Sequence, residues 1–161
     1  MFWKQFYRNI IFSICLAYPF QVQSHGNGAP ANRCDSMLPG HWVTPQETIS
    51  PFQISIDKTK ITPGDRVNIT LSTIPGHPTG FKGFFVMVKD LDNNGTNYGI
   101  FDLNSSDLNH ARPVHCFEVR NSAMTHSAND AKKSVELTWI APEIEHSENG
   151  SDVKGKQLKV V

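Results

Sequence analysis

The residues of this 161-residue chain that could do chemistry are three cysteines, seven histidines, four Asn-x-Ser/Thr triplets and scattered carboxylates and lysines. The histidines are scattered, and none pairs with a cysteine or carboxylate at the spacing of a zinc site, so neither a metal nor a cofactor is expected. His41 and His126 stand apart because each lies in a motif taken up below, and a packed or hydrogen-bonded imidazole is the role expected of both. One sharper chemistry rests on His25. As an amino terminus, its amine and imidazole together with a second histidine could chelate copper, as oxidative polysaccharide-cleaving enzymes do. The carboxylates Asp90, Asp92 and Asp102 fall near turns, where solvation or turn capping is the default role. There is no Gly-x-Ser-x-Gly elbow, phosphate-cradling glycine loop or His-Glu-x-x-His helix. Catalytic residues are not expected, and the chain reads as non-enzymatic.

The triplets begin at Asn68, Asn94, Asn104 and Asn149 and have the form of N-glycosylation acceptors. Their placement supports the assignment, because Asn68 falls on the solvent parity of its strand and the others fall in turns or loops, where a glycan costs no burial. Asn68 and Asn104 lead. Lys82, Lys89, Lys132 and Lys133 are candidates for a basic patch facing an anionic glycan or a microbial surface, against the plainer reading of scattered, solvated lysines.

Two of the cysteines matter because of where the chain goes. Residues 1–24 carry basic Lys4 and Arg8, an apolar stretch from Ile10 to about Phe20, and small residues at Ala17 and Ser24. This is a secretory leader pattern. The apolar stretch falls short of the roughly 20 residues that a membrane-spanning helix needs, so a retained anchor is the weaker reading. Cleavage after Ser24 would leave residues 25–161 as one domain; a cut after Ala17 is the other possibility and would dismiss the copper chemistry. Loss of the leader removes Cys15 and leaves Cys34 and Cys116, an even pair in an oxidising compartment. A disulfide between them is expected, with two free thiols as the alternative. The mature chain would carry a formal charge of −2 with histidines neutral, which is no nucleic-acid footprint.

The elements that must position these residues read as strands. Phe81 to Val88 is the densest apolar run after the leader and is rich in aromatic and β-branched residues, so it is expected to be the central strand. Phe84, Val86 and Val88 would face one side and Phe81, Phe85 and Met87 the other, so both faces need cover. A second sheet supplies one cover. For the other, the irregular segment from His25 to Ser50, pinned at Cys34, is the candidate, with Met37, Leu38, Trp42 and Val43 as its apolar contacts.

Phe52, Ile54 and Ile56 alternate with polar residues as in a half-buried strand, and Thr62-Pro63-Gly64-Asp65 turns the chain into an antiparallel partner carrying Val67, Ile69 and Leu71. Asp92-Asn93-Asn94-Gly95 predicts a hairpin turn, so that Tyr98, Ile100 and Leu103 pair back on the central strand. A polar loop spans Asn104 to Pro113. Val114 to Val119 predicts a short strand, Val135, Leu137 and Trp139 a clear one that Pro142 stops, and Gln157 to Val161 a last one. Six or seven short strands without a helical period predict an all-β fold, an antiparallel immunoglobulin-like β-sandwich with the irregular N-terminal segment packed over it.

Specific residues narrow this further. Asn27-Gly28-Ala29-Pro30, Cys34 through His41, Pro45-Gln46 and Ser50-Pro51-Phe52 resemble the opening of a reeler domain. The resemblance continues through Thr62-Pro63-Gly64, Phe81-Lys82-Gly83-Phe84, Gly99-Ile100-Phe101, Cys116, Thr125-His126-Ser127 and Leu137 through Pro142, in family order across nearly the whole of residues 25–161. It implies a reeler-type sandwich and a Cys34–Cys116 disulfide, and brings no catalytic set. A secreted chain with one such domain is similar to the insect defence proteins, which implies a role in innate immunity, antimicrobial or binding microbial surface glycans or lipopolysaccharide. The alternative implied by larger members is an extracellular matrix or glycan-binding adhesion module. The ligand-binding residues remain unknown at this point. The last stretch, Val153 to Val161, matches the family only loosely.

Overall fold

The structure is a computed structural model that describes residues 26–39, 46–143 and 157–161. Nine strands follow a short 3-10 turn at Ala31–Arg33: β1 (Phe52–Ile56), β2 (Arg66–Thr73), β3 (Phe85–Asp90), β4 (Thr96–Asn97), β5 (Ile100–Asp102), β6 (Ala111–Cys116), β7 (Val119–His126), β8 (Ser134–Ile140) and β9 (Leu158–Val160). They form two antiparallel sheets. The first runs β1-β2-β8-β5; the second runs β4-β3-β7-β6, with β9 also paired to β3.

The two faces of β3 are covered by different groups, as its composition requires. Val86 and Val88 point into the space between the sheets, where they meet Val67, Ile69, Leu137 and Trp139. Met87, fully buried, and Phe85 point outward and pack with Val114, Ala123, Cys34, Cys116 and Met37. The N-terminal segment therefore serves as the outer cover. It is fixed by the Cys34–Cys116 disulfide, whose Cα atoms are 5.6 Å apart, and by the Ala29 N–H donating to Thr125 Oγ1 at 2.9 Å. Gly28, at φ +106°, passes so close to the His126 carbonyl and the Thr125 methyl that no Cβ could be placed there.

Several expectations need correction. The central strand begins at Phe85 rather than Phe81, because Phe81 makes a separate two-way backbone bridge with Lys132 and drops its ring into the inter-sheet core. Strand β1 is more exposed than expected, with Phe52, Ile54 and Ile56 at 39%, 48% and 39%, because it is the edge of its sheet and overhangs an open groove. Leu38 is 53% exposed and takes no part in the cover, whereas Met37 does. Trp42, Val43 and the 1–24 leader lie outside the described residues.

The hairpin after β3 turns as expected, with Asn94 at φ 51°, but only β4 and the Tyr98 N–H, which donates to the Val88 carbonyl at 2.9 Å, pair back; Ile100 and Leu103 do not. Gly99, at φ 72°, then carries the chain across to the first sheet, where Ile100–Asp102 pairs with β8. Val114 to Val119 is not one strand. It ends β6 and starts β7 around the left-handed pair Phe117-Glu118, and β7 itself has no counterpart among the expected strands. At the other extreme, β9 forms as expected, and Val161 and Met87 exchange both backbone hydrogen bonds at 2.9 Å.

Candidate functional site

Antiparallel register places the turn after β3, the Phe117-Glu118 hairpin and the β1–β2 connection at one end of the sandwich. Near it lies a groove of about 510 Å³ lined by Tyr98, Gly99 and Ile100, by Ile140 and Pro142 of the neighbouring strand β8 and its exit, and by Val119 of the second sheet. Ile100 and Val119 are each about two-fifths exposed there (40% and 39%), and Phe117 at the hairpin tip is 54% exposed.

The local chemistry of each wall can be followed. Trp139 is buried in β8, and its indole N–H donates to the Tyr98 carbonyl at 2.9 Å, which holds the Tyr98–Ile100 wall on the core. A Cβ on Gly99 would run into the Trp139 ring and the Ile140 carbonyl, so only glycine allows the wall to lie this close. The Val119 side depends on a tight two-residue hairpin of the type I′ form, in which both central residues have positive φ, Phe117 at 52° and Glu118 at 63°. Neither is glycine or asparagine, so each costs roughly 1–2 kcal/mol of backbone strain. Ser122 Oγ, which accepts from the Cys116 N–H at 2.7 Å and donates to the Val119 carbonyl at 2.8 Å, ties the base of the turn together.

Polar groups are few. Asn97 lines the groove, and its Oδ1 is buried with no hydrogen-bond partner. Glu143 is the charged residue of the lining. A mostly apolar cleft with a few polar atoms suits an aliphatic ligand with one or two hydrogen-bonding groups.

Other candidates from the sequence fall elsewhere. The disulfide joins Cys34 and Cys116, both buried, so the free-thiol alternative is set aside. Asn68, Asn94 and Asn104 are exposed. Asn68 also donates its side-chain amide to Asp57 at 2.9 Å and accepts from the Thr138 hydroxyl at 3.1 Å. His126 packs at a tilt on Phe84, with ring centroids 6.2 Å apart, the structural role expected of it. His25, His41 and Asn149 lie outside the described residues. Among the described residues no group of three or more His, Cys, Asp or Glu side chains could hold a metal ion.

Of the four candidate lysines, Lys82 is exposed and the other three donate to backbone carbonyls. Lys132 is buried, and its ammonium donates to the carbonyls of Ala128 at 2.7 Å and Asp130 at 2.8 Å and to the Asp130 carboxylate at 3.1 Å. Lys133 donates to the His77 carbonyl at 3.1 Å, and Lys89 to the Asp35 carbonyl at 3.4 Å. These three are used to close loops. The Lys132 hydrogen bond holds the Asp130 carboxyl below its ordinary value, and Thr62, with Lys58 behind it, does the same for Asp65. Among the carboxylates, Asp90 is buried rather than solvated, though it does cap its turn by accepting from the Asp92 N–H at 3.0 Å. Asp102 accepts from the Asn104 N–H at 3.1 Å and pairs with Arg66.

The architecture is a two-sheet antiparallel β-sandwich with a disulfide-clasped outer segment. Residues 32–150 match the reeler domain family model, and the chain belongs to the reeler domain family. It is 36% identical over 123 residues to the Xenopus laevis protein named "Putative ferric-chelate reductase 1", covering 75% of this chain and 19% of that one. The chain thus spans about a fifth of the reductases it matches. It is 30% identical over 124 residues to "Putative defense protein 3" of Antheraea mylitta, covering 76% of this chain and 70% of that protein. The human F-spondin reeler domain has the same fold at 22% identity, with a TM-score of 0.50 over 62% of this chain and 71% of that one. Among the described residues no helix is long and apolar enough to cross a membrane.

Proposed function

We propose that the protein is a secreted defence protein that binds an amphipathic microbial surface molecule, such as lipopolysaccharide, without chemistry of its own. The observation that carries the reading is the end groove between Ile100 and Val119, open and mostly apolar, beside a strained turn that holds Phe117 outward. Aliphatic chains of the ligand would enter the groove, and Asn97 and Glu143, the polar residues of its lining, would meet hydroxyl groups of the headgroup. Similarity to insect defence proteins of comparable length supports the biological setting. Secretion, with cleavage of residues 1–24, and glycans on Asn68, Asn94 and Asn104 belong to the same reading.

The alternative is an extracellular matrix or glycan-binding adhesion module. The test is retention of the secreted protein on bacterial cell-wall fractions, compared with an Ile100→Lys, Val119→Lys double variant. Binding that the double variant loses is expected. Retention on heparin with no affinity for lipopolysaccharide or peptidoglycan would replace this reading with the adhesion module.

A further inference from the structure

Strand β1 is an edge strand of a kind that proteins usually protect with charge, proline or a bulge, and here it carries none of these. Its sequence, Phe-Gln-Ile-Ser-Ile, is uncharged. Its apolar side chains lie on one face, since Ile54 is paired with Leu71 and Ile56 with Ile69, both inward-pointing residues of β2. Even so, Phe52, Ile54 and Ile56 are 39%, 48% and 39% exposed. They overhang a second apolar groove of about 260 Å³ floored by Leu71, Phe81 and Phe84.

The direction of the free backbone groups follows from the pairing. The Asp57 N–H donates to the Asn68 carbonyl, and the Ile74 N–H donates to the Pro51 carbonyl, so odd-numbered residues of this strand bond to β2. The N–H and C=O of Ile54 and Ile56 therefore point away from the sheet, and among the described residues nothing pairs with them. Phe52 is capped only locally, by Ser50 Oγ.

We propose that this edge docks a second copy of the chain, with the two β1 strands antiparallel about a two-fold axis at Ile54. The register is self-complementary: Ile54 exchanges both backbone bonds with Ile54 of the second copy, and Ile56 lies opposite Phe52. Charge favours this occupant. The approach to β1 holds exposed Glu47 and its exit holds exposed Lys60, so an antiparallel mate brings the acidic end of one strand to the basic end of the other. Lys58 and Asp57 are already used within the chain, by Asp65 and Asn68 respectively. Opposed strands put their side chains on the same sheet face, so the exposed apolar rows of both copies pool over the two adjoining grooves. Five residues a side is a small contact, which makes this a concentration-dependent dimer of the weak class. Because β5, which carries Ile100, is the opposite edge of the same sheet, both end grooves stay open.

The experiment is sedimentation equilibrium of the secreted chain over a wide concentration range, with amide hydrogen exchange at Ile54 and Ile56 measured on the same samples. The wild type is expected to dimerise and to slow exchange at those two amides as concentration rises. Ile54→Lys sets like charges face to face on the axis and is expected to weaken dimerisation at least about tenfold while the monomer stays folded. A wild type that stays monomeric, a dimer unmoved by Ile54→Lys, or exchange at Ile54 and Ile56 that ignores concentration would each overturn the proposal. So would stoichiometric capture of a foreign peptide along β1 in place of a second copy.

Discussion

The indole of Trp139 reaches across the end of the sandwich to the carbonyl of Tyr98, 2.9 Å away, and so couples the core of one sheet to the wall of the candidate binding groove. Gly99 is the hinge of that contact. Placing a methyl group on it would meet the Trp139 ring and force a left-handed backbone on a residue that resists it. Gly99→Ala is expected to lower stability by about 3 kcal/mol or more in denaturant titration, through overpacking plus backbone strain. A cost under about 0.5 kcal/mol, the level of ordinary surface substitutions, would mean that the wall is not held this tightly.

The Cys34–Cys116 bridge closes a sequence separation of 82 residues and ties the outer cover to β6. Removing it by Cys34→Ser with Cys116→Ser is expected to cost about 2–5 kcal/mol, with the chain-entropy model giving roughly 4.5. Calorimetry of this variant against wild type, with and without reductant, checks the figure. Outer-face residues such as Met87 and Ala123 should lose hydrogen-exchange protection before those of β8.

Lys132 is a second structural clasp, at the opposite end. Its ammonium satisfies the Ala128 and Asp130 carbonyls, so Lys132→Met would leave them short of a donor inside a closed loop. A loss of about 2–3 kcal/mol is expected in chemical denaturation, the scale of a buried charge-assisted hydrogen bond with its partners stranded.

Acid should act through the same clasps. Asp130 and Asp65 both have folded pKa values below the ordinary 3.8, the first through its bond to Lys132 and the second through Thr62. A depressed carboxyl contributes stability that is complete above its unfolded value and is lost as pH falls through the folded one. Stability is therefore expected to hold from neutrality down to about pH 3.8 as far as these two groups are concerned, then to fall. Asp65→Asn with Asp130→Asn should flatten that fall in a series of denaturation curves.

Much of this architecture was legible in local pattern. The doubled apolar faces of Phe85 to Val88 demanded two covers, and the pair Cys34 and Cys116 indicated which segment supplies the outer one. What escaped depended on tertiary placement. The β1 pattern reads as half-buried because alternation reports which side chains share a face, not whether the strand is the edge of its sheet over an open groove. The run from Tyr98 to Leu103 reads as a single strand because a left-handed Gly99 that switches sheets looks like any strand glycine. The Phe117-Glu118 turn has no glycine or asparagine to announce it, and with it the β6–β7 hairpin and one wall of the groove went unseen. Lys132 looked like a surface charge because carbonyl partners leave no trace in composition.

The central claim is that the groove beside Trp139 takes the aliphatic part of a microbial amphiphile. Trp139 is itself the reporter, so the decisive measurement is its fluorescence in a Trp42→Phe background as intact or deacylated lipopolysaccharide is added. A saturable change with intact lipopolysaccharide is predicted, at least about tenfold weaker for the deacylated form and absent in Ile100→Lys, since burying several methylenes separates the two ligands. Equal responses to both forms, or an undiminished response in Ile100→Lys, would contradict the account.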